Sequence, residues 1–185
     1  RPFRPKRRTR ASVAKEKGLE ELMDYLARAG RKDAVVLLVG DGPDREEVLA
    51  CAKAKKVPVI FAGMVPHSEV PNYYRLGDIF ITASTSETQG LTYFEALAAG
   101  LPVLCRKDPC LEGVIENGVN GWQYETGEAF CLHLAQFCGD KALRKQMAQA
   151  AEDTAERFSA EAFGRAAEAL YRSVLEKEEK KVGCR

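Results

Sequence analysis

Residues 79–105 read IFITASTSETQGLTYFEALAAGLPVLC. A short apolar run at 79–83 leads through a polar turn into a helical pattern over 90–99, and a second apolar run follows at 102–105. Short, continuous apolar runs are typical of strands buried on both faces of a parallel sheet. The stretch therefore predicts a strand, a helix and a second strand in succession.

The same alternation occurs upstream of this stretch. An amphipathic helix is predicted over 17–29, ending near Gly30, and a buried strand over 35–39. A helix over 44–55, a strand over 57–62 and a short helix over 70–76 follow. Alternating strands and helices predict an α/β fold, a Rossmann-like parallel sheet with helices on both faces.

The pattern changes after residues 120–122, where the strand signal ends. Three helical stretches are predicted, at 127–138, 141–157 and 160–177, so the chain is expected to end in a helical tail. Ser159 is a plausible N-cap for the last helix, and its charged end, residues 176–181, is expected to fray.

Composition limits the functional classes. The chain has 185 residues, a size typical of one domain, and a net charge of +1, which favours no nucleic-acid partner.

The six cysteines lack C-x-x-C spacing, so we expect them to be reduced and mostly buried. His67 and His133 are far apart without ligand-spaced partners, which argues against a zinc site. With no apolar run of about 20 residues and no apolar signal-peptide core, we expect a cytoplasmic protein.

The first ten residues, RPFRPKRRTR, combine two prolines with six positive charges. Such a segment cannot bury much surface, so residues 1–10 are interpreted as a basic linker or arm and residues 11–185 as the folded domain.

The turn before the helix at 90–99 is the strongest candidate site. In open α/β sheets, ligands bind beyond the carboxyl ends of the strands, and a helix start with glycine at Gly90 offers free N–H groups to an anion such as a diphosphate. Glu87 and Glu95 would repel phosphate but could accept hydrogen bonds from sugar hydroxyls. From the residues alone, it is equally plausible that both glutamates only favour the helix start electrostatically.

Glu87 and Glu95 form an E-x7-E pair, and the run STSETQGLTYFEALAAGLPV at 84–103 resembles the donor motif of retaining glycosyltransferases of family 4, the glycosyl transferases group 1. Shorter segments support the likeness, which covers most of residues 11–175: VGDGP at 39–43, FAG at 61–63, GDIF at 77–80, NG at 117–118 and 120–121, and KEKG at 15–18. The sequence SETQGLTY at 86–93 is similar to the corresponding segment of bacterial diacylglycerol glucosyltransferases.

This resemblance implies the C-terminal, donor-binding half of a GT-B enzyme, in which two Rossmann-like domains face each other across a cleft. Catalytic roles fall to Glu87, which would bind the donor sugar, and to Lys17, which would neutralise the diphosphate. Glu95 would bind the nucleotide ribose. Backbone groups of Gly90, Leu91 and Thr92 would hold the diphosphate, and the backbone around Val65 would meet the base. The implied donor is a nucleotide-sugar, UDP-glucose being the candidate, and no metal or other cofactor is implied.

The chain departs from the family pattern at Ala11 and Ser12, which stand where a Gly-Arg pair is usual. Ser12 cannot supply the second phosphate-binding cation. The apolar strand expected before that pair is absent, and a doubly wound sheet without its central strand would leave two unpaired strand edges. Either residues are missing between Pro5 and Ala11 or this chain has been altered there.

The functional hypothesis is retaining transfer of a hexose to a lipid or diacylglycerol-type acceptor. An N-terminal domain, absent here, is expected to recognise the acceptor and to associate peripherally with the inner face of the membrane, so this chain alone should bind donor without turnover. The alternative is a non-catalytic nucleotide- or sugar-binding module, which Ser12 favours. A dehydrogenase is disfavoured because no complete G-x-G-x-x-G follows a strand.

Side chains near the candidate site have simpler interpretations. His67 is expected to be solvated, and Tyr73 and Tyr74 to pack the short helix against the sheet. Residues 106–108 follow a strand, where contact with a ligand and a solvated turn are equally plausible. Cys110 has no nearby histidine in sequence and is expected to be inert.

Overall fold

The computed structural model describes residues 8–11, 18–84 and 90–182, with side chains from 18–84 and 90–175. Six strands form one sheet in the order β3-β2-β1-β4-β5-β6, and every neighbouring pair is parallel. The strands are β1 (Arg8–Ala11), β2 (Val35–Leu38), β3 (Val59–Phe61), β4 (Ile79–Thr82), β5 (Val103–Arg106) and β6 (Gly121–Tyr124). This order is that of a doubly wound, Rossmann-like sheet, as predicted.

The central strand is β1, and its position corrects the interpretation of residues 1–10 as a linker. Thr9 pairs with Val36 on one side and with Ile79 on the other. Without β1, the edges of β2 and β4 would face each other unpaired, and backbone hydrogen bonds can fill that gap whatever the side chains are. The sheet is therefore complete with the residues present, and the prediction is wrong for residues 8–10. Residues 1–7 lie outside the described part.

The helices follow the predicted pattern. They are α1 (Leu19–Ala29), α2 (Arg45–Ala54), α3 (Val70–Tyr74), α4 (Leu91–Ala98), α5 (Gly127–Gly139), α6 (Lys141–Arg157) and α7 (Ala160–Val182). Short 3-10 turns at His67–Glu69 and Pro109–Leu111 complete the connections. Between residues 17 and 105, the predicted helices and strands are confirmed, with ends that differ by no more than two residues.

Two apolar clusters cover the two faces of the sheet. One joins α1, α2 and α5 to the sheet through residues such as Leu22, Val48 and Leu134. The other joins α3, α4 and α6 to the opposite face through residues such as Leu97 and Ala151. Helices on both faces explain why the central strands are apolar throughout, and they leave the strand ends as the open edges.

The C-terminal part contains two further corrections. A sixth strand, β6, follows Asn120 and pairs with β5, although the sequence analysis found no strand signal there. Helix α7 extends to Val182, five residues beyond its predicted end, so residues 176–181 are helical in this structure; whether this end frays stays a prediction. Its predicted N-cap is confirmed, because the Ala162 N–H donates to Ser159 Oγ at 3.1 Å.

The cysteines agree only in part with expectation. Those in the described part are free thiols, as predicted, but only Cys105 and Cys138 are buried, whereas Cys110 is exposed. Cys184 lies outside the described residues. Across the described ranges, no helix is both long enough and apolar enough to cross a bilayer.

Candidate functional site

The candidate site lies where the strand order reverses, between β1 and β4. From β1 the chain continues to one side of the sheet, and from β4 to the other, so a crevice opens beyond their carboxyl ends. Gly18, immediately before α1, approaches the backbone of Ala83, immediately after β4: a Cβ on Gly18 would lie 2.5 Å from the Ala83 carbonyl oxygen. The beginning of α1 is thus held against the end of β4.

The amino end of α4 faces the same region. Gly90 precedes the helix in the left-handed conformation, with φ 60°, and its carbonyl accepts the first helical hydrogen bond from the Tyr93 N–H at 2.9 Å. Among the described residues, the N–H groups of Gly90, Leu91 and Thr92 have no acceptor. Free N–H groups at the positive end of a helix are suited to an anion.

A hollow of about 210 Å³ lies beside this helix start. It brings together three of the residues singled out in the sequence, Val65, Thr92 and Glu95, although they come from different loops. The rest of its lining comes from the ends of β2 and β3, from α3 and from β4: Val39, Gly40, Met64, His67, Val70, Tyr74 and Phe80.

Glu95 lies in the second turn of α4 and is partly buried. Its Oε2 accepts a hydrogen bond from the Tyr74 hydroxyl at 2.9 Å. A second hollow of about 240 Å³ lies between α3 and α4 and is lined by both residues. Glu95 and Tyr74 therefore line both hollows, the one at the candidate site and the one between α3 and α4.

Comparison with known proteins identifies the family. The family model described as "Glycosyl transferases group 1" matches residues 10–154, which is most of the chain. The chain belongs to the glycosyl transferases group 1. The resemblance seen in the donor motif is thereby confirmed.

Among curated relatives of this family, an alpha-monoglucosyldiacylglycerol synthase of Acholeplasma laidlawii is 32% identical over 177 residues, covering 93% of this chain and 44% of the relative. The Streptococcus pneumoniae protein of the same name is 39% identical over 116 residues, covering 60% of this chain and 26% of the relative. This chain therefore spans less than half the length of either relative.

Solved structures agree on the fold of this group 1 chain. The catalytic domain of a Helicobacter pylori cholesterol-alpha-glucosyltransferase superposes with a TM-score of 0.74 at 18% identity, covering 83% of this chain and 99% of that one. An Anabaena protein, HepE, crystallised with UDP and glucose, gives 0.77 at 22% identity, covering 90% of this chain and 48% of that one. At these identities the likeness shows the fold alone, that of the C-terminal half of a GT-B glycosyltransferase.

Three residues to which the group 1 resemblance assigns roles, Ser12, Lys17 and Glu87, lie outside the described residues. Their roles stay predictions. Leu91 is placed at the helix start, and the residue is 63% exposed.

The loop after β5 has structural partners. Arg106 pairs with Glu21 of α1 and lies 5.9 Å from the centre of the Tyr124 ring. Burial acts to raise the pKa of Glu21, but hydrogen bonds from Tyr25 and Arg106 outweigh it and hold that pKa below its usual value. Lys107 pairs with Glu125 at the surface.

Asp108 caps the 3-10 turn beside Cys110 by accepting the Cys110 N–H at 2.9 Å. Each residue from Arg106 to Asp108 thus has a protein partner, and Lys107 and its partner Glu125 are both exposed. Within the described ranges, no three His, Cys, Asp or Glu side chains cluster as metal ligands.

Two residues of the site were not identified as site residues from the sequence. His67 is exposed, as expected of a solvated side chain, and it also lines both hollows beside Glu95. Tyr74 does pack against the sheet as predicted, on Phe80, but it also hydrogen-bonds Glu95. No local pattern marks either contact, since each depends on α3 folding back over α4.

Proposed function

We propose that this chain is the donor-binding half of a retaining glycosyltransferase and that the crevice between β1 and β4 holds a nucleotide-sugar. The observation that carries the proposal is that Glu95, Val65 and Thr92 line one hollow at the start of α4, where the N–H groups of residues 90–92 have no acceptor among the described residues, near the reversal of the strand order. In doubly wound sheets this is where nucleotides bind.

The diphosphate is assigned to the amino end of α4. The N–H groups of Gly90, Leu91 and Thr92 are fixed by the fold before any ligand arrives, so they stabilise negative charge without reorganisation. Left-handed Gly90 carries no side chain that would keep a phosphate away from this backbone. Lys17, just ahead of α1, would supply the cation that balances charge on the departing diphosphate, and no metal is required.

The two glutamates would take the neutral parts of the donor. Glu95 has one carboxylate oxygen engaged by Tyr74 and another that accepts no hydrogen bond from the described residues. An ionised carboxylate accepts strongly from hydroxyl groups, so this oxygen suits a ribose hydroxyl. Glu87 would bind hydroxyls of the sugar, and the backbone at Val65 would meet the edge of the base.

The relatives support a choice of donor and acceptor. Two of them are named alpha-monoglucosyldiacylglycerol synthases, and HepE was crystallised with UDP and glucose. We infer that the donor is UDP-glucose and that the whole protein transfers glucose, with retention at the anomeric carbon, to a diacylglycerol-type acceptor. Acceptor recognition and attachment to the cytoplasmic face of the membrane are assigned to an N-terminal half, so this chain alone binds the donor without turnover.

Calorimetric titration of the chain with UDP and UDP-glucose tests the donor assignment. Both ligands should bind, and Glu95→Ala should weaken UDP binding about tenfold or more, because a hydrogen bond to a charged group contributes about 1.5–3 kcal/mol. Glu69→Ala, at a surface glutamate in the 3-10 turn before α3, is the matched control and should leave binding unchanged.

A folded chain that binds neither ligand would refute the donor assignment. Equal binding by the wild type and Glu95→Ala would remove Glu95 from the site. Donor consumption after the N-terminal half is restored separates an enzyme from a non-catalytic binding module, since only the enzyme would release UDP from UDP-glucose in the presence of a diacylglycerol acceptor.

A further inference from the structure

The contact between Tyr74 and Glu95 is more than core packing requires. Tyr74 is 6% exposed, and its ring already contributes to the apolar cluster on its face of the sheet. A phenylalanine would fill that space equally well. The hydroxyl is directed instead at Glu95 Oε2, 2.9 Å away and 21 residues later in the chain.

The position of the Tyr74 ring is fixed from several sides. Its centre lies 6.1 Å from that of Phe80 in β4, and Phe80 in turn meets Tyr93 edge-on at 5.8 Å. The Tyr74 carbonyl accepts the Gly77 N–H at 3.0 Å, which ties the end of α3 to the following turn. A phenol on a buried, two-torsion side chain is therefore a rigid donor.

Glu95 by itself is not rigid. Its flexible side chain emerges from α4 between the hollow at the candidate site and the hollow of about 240 Å³ between α3 and α4. The hollow between α3 and α4, called here the rear hollow, is large enough to receive a carboxylate that turns away from the crevice, and the polar side chains of His67 and Arg75 also line it. Something must hold the carboxylate forward if it is to bind a ligand.

We propose that Tyr74 is the positioning residue that holds Glu95 toward the crevice, leaving Oε1 to accept a hydrogen bond from a ribose hydroxyl. By occupying Oε2, the fixed phenol removes the rotamers in which Glu95 would turn into the rear hollow. This inference rests on the proposed function, because it presupposes that Glu95 binds the ribose. It assigns a role in ligand binding to a residue outside the donor motif.

The test is a binding cycle that combines Tyr74→Phe with removal of the ribose hydroxyls, measured by calorimetry with UDP and with 2′,3′-dideoxy-UDP. The wild type should bind UDP about tenfold more tightly than the dideoxy analogue. Tyr74→Phe should weaken UDP binding about fivefold to tenfold and leave binding of the analogue almost unchanged. The losses of binding free energy caused by Tyr74→Phe and by removal of the ribose hydroxyls should therefore not be additive, as is expected of coupled groups.

Tyr73→Phe is the matched control, since Tyr73 precedes Tyr74 in α3 but lines neither hollow. It should reproduce the wild-type affinities for both ligands. Thermal melting of Tyr74→Phe separates a loss of fold from a loss of positioning, because the retained ring preserves the packing on Phe80.

Each contrary outcome has one meaning. If the wild type binds UDP but Tyr74→Phe weakens both ligands equally, or neither, Tyr74 has no positioning role. If the wild type binds the two ligands equally well, Glu95 does not contact the ribose and the inference falls even without the variant. If the wild type does not bind UDP, the proposed function itself is wrong.

Discussion

At the scale of single residues, the crevice depends on Gly18 as well as on the motif around Gly90. Gly18 has φ 63° and lies so close to the Ala83 carbonyl that no side chain fits between them. The glycine therefore allows the start of α1 and the end of β4 to approach closely beside the crevice.

Gly18→Ala should lower the free energy of unfolding by about 3 kcal/mol or more, because a left-handed alanine costs about 1–2 kcal/mol and the clash with Ala83 adds to it. Gly30→Ala is the matched control. Gly30 also has φ 60°, but a Cβ there meets nothing within 4 Å. Urea unfolding should therefore show a loss of about 1–2 kcal/mol for Gly30→Ala. Equal losses for the two variants would contradict the close approach at Gly18.

The residues of the site differ in how far the sequence reveals them. Gly90, Thr92 and Glu95 belong to one continuous motif, so their types and spacing were enough to single them out. Tyr74 and His67 come from α3 and the 3-10 turn before it, and only the packing of α3 on α4 brings them to Glu95. Contacts of this kind leave no periodicity or spacing in the sequence, which is why the sequence analysis did not place either residue in the site.

At the scale of elements, strands that are apolar throughout were predicted and the others were not. Val35–Leu38 and Ile79–Thr82 are mostly or fully buried and have the matching apolar runs. β1 and β6 carry charged or polar residues, and their pairing with neighbouring strands is what defines them. Pairing between strands distant in sequence outweighs local composition. A pattern of apolar residues read along the sequence therefore misses such strands.

Asn120 shows how the chain is secured ahead of β6. Its side chain is fully buried; Nδ2 donates to the Val114 carbonyl at 2.8 Å and to Thr154 Oγ1 at 3.0 Å, and Oδ1 accepts the Glu116 N–H at 2.8 Å. One side chain thus connects the loop between β5 and β6 to α6.

Asn120→Ala should lower the free energy of unfolding by about 2–4 kcal/mol, because it leaves several buried polar groups without partners. Asn117→Ala removes an amide from the same loop, but Asn117 is exposed and its bond to the Gln123 N–H faces solvent. It should cost no more than about 1 kcal/mol in the same urea titration. A loss for Asn120→Ala as small as that of the control would contradict the proposed securing of this loop.

At the scale of the whole molecule, the chain presents two contrasting ends of one sheet. The carboxyl ends of the strands carry the helix starts, Glu95 and the two hollows beside it. The opposite end, at the amino ends of β2 and β3, carries a hollow of about 160 Å³ lined in part by Arg31, Lys32, Lys55 and Lys56. The first end offers a diphosphate backbone N–H groups. The second offers side-chain charge, of which Arg31 is paired with Asp33 and Lys55 with Asp24. The two ends therefore predict different places for a nucleotide.

Helix α7 carries an exposed apolar surface that the sequence analysis did not predict. It was predicted as a helix, but apolar side chains along it, including Phe163, Leu170 and Leu175, are 64–76% exposed. Helical periodicity predicts that such a stripe exists, but which surface covers it is not encoded in the pattern.

The most direct test of the account is to map UDP binding by amide chemical shifts on the 15N-labelled chain. The largest changes should fall at Gly90, Leu91 and Thr92, with further changes near Val65 and Glu95, because the diphosphate binds at the start of α4. The amides of residues 30–34 and 55–57, at the opposite end of the sheet, should not move. Changes concentrated at that basic end, with the start of α4 unaffected, would contradict the central claim.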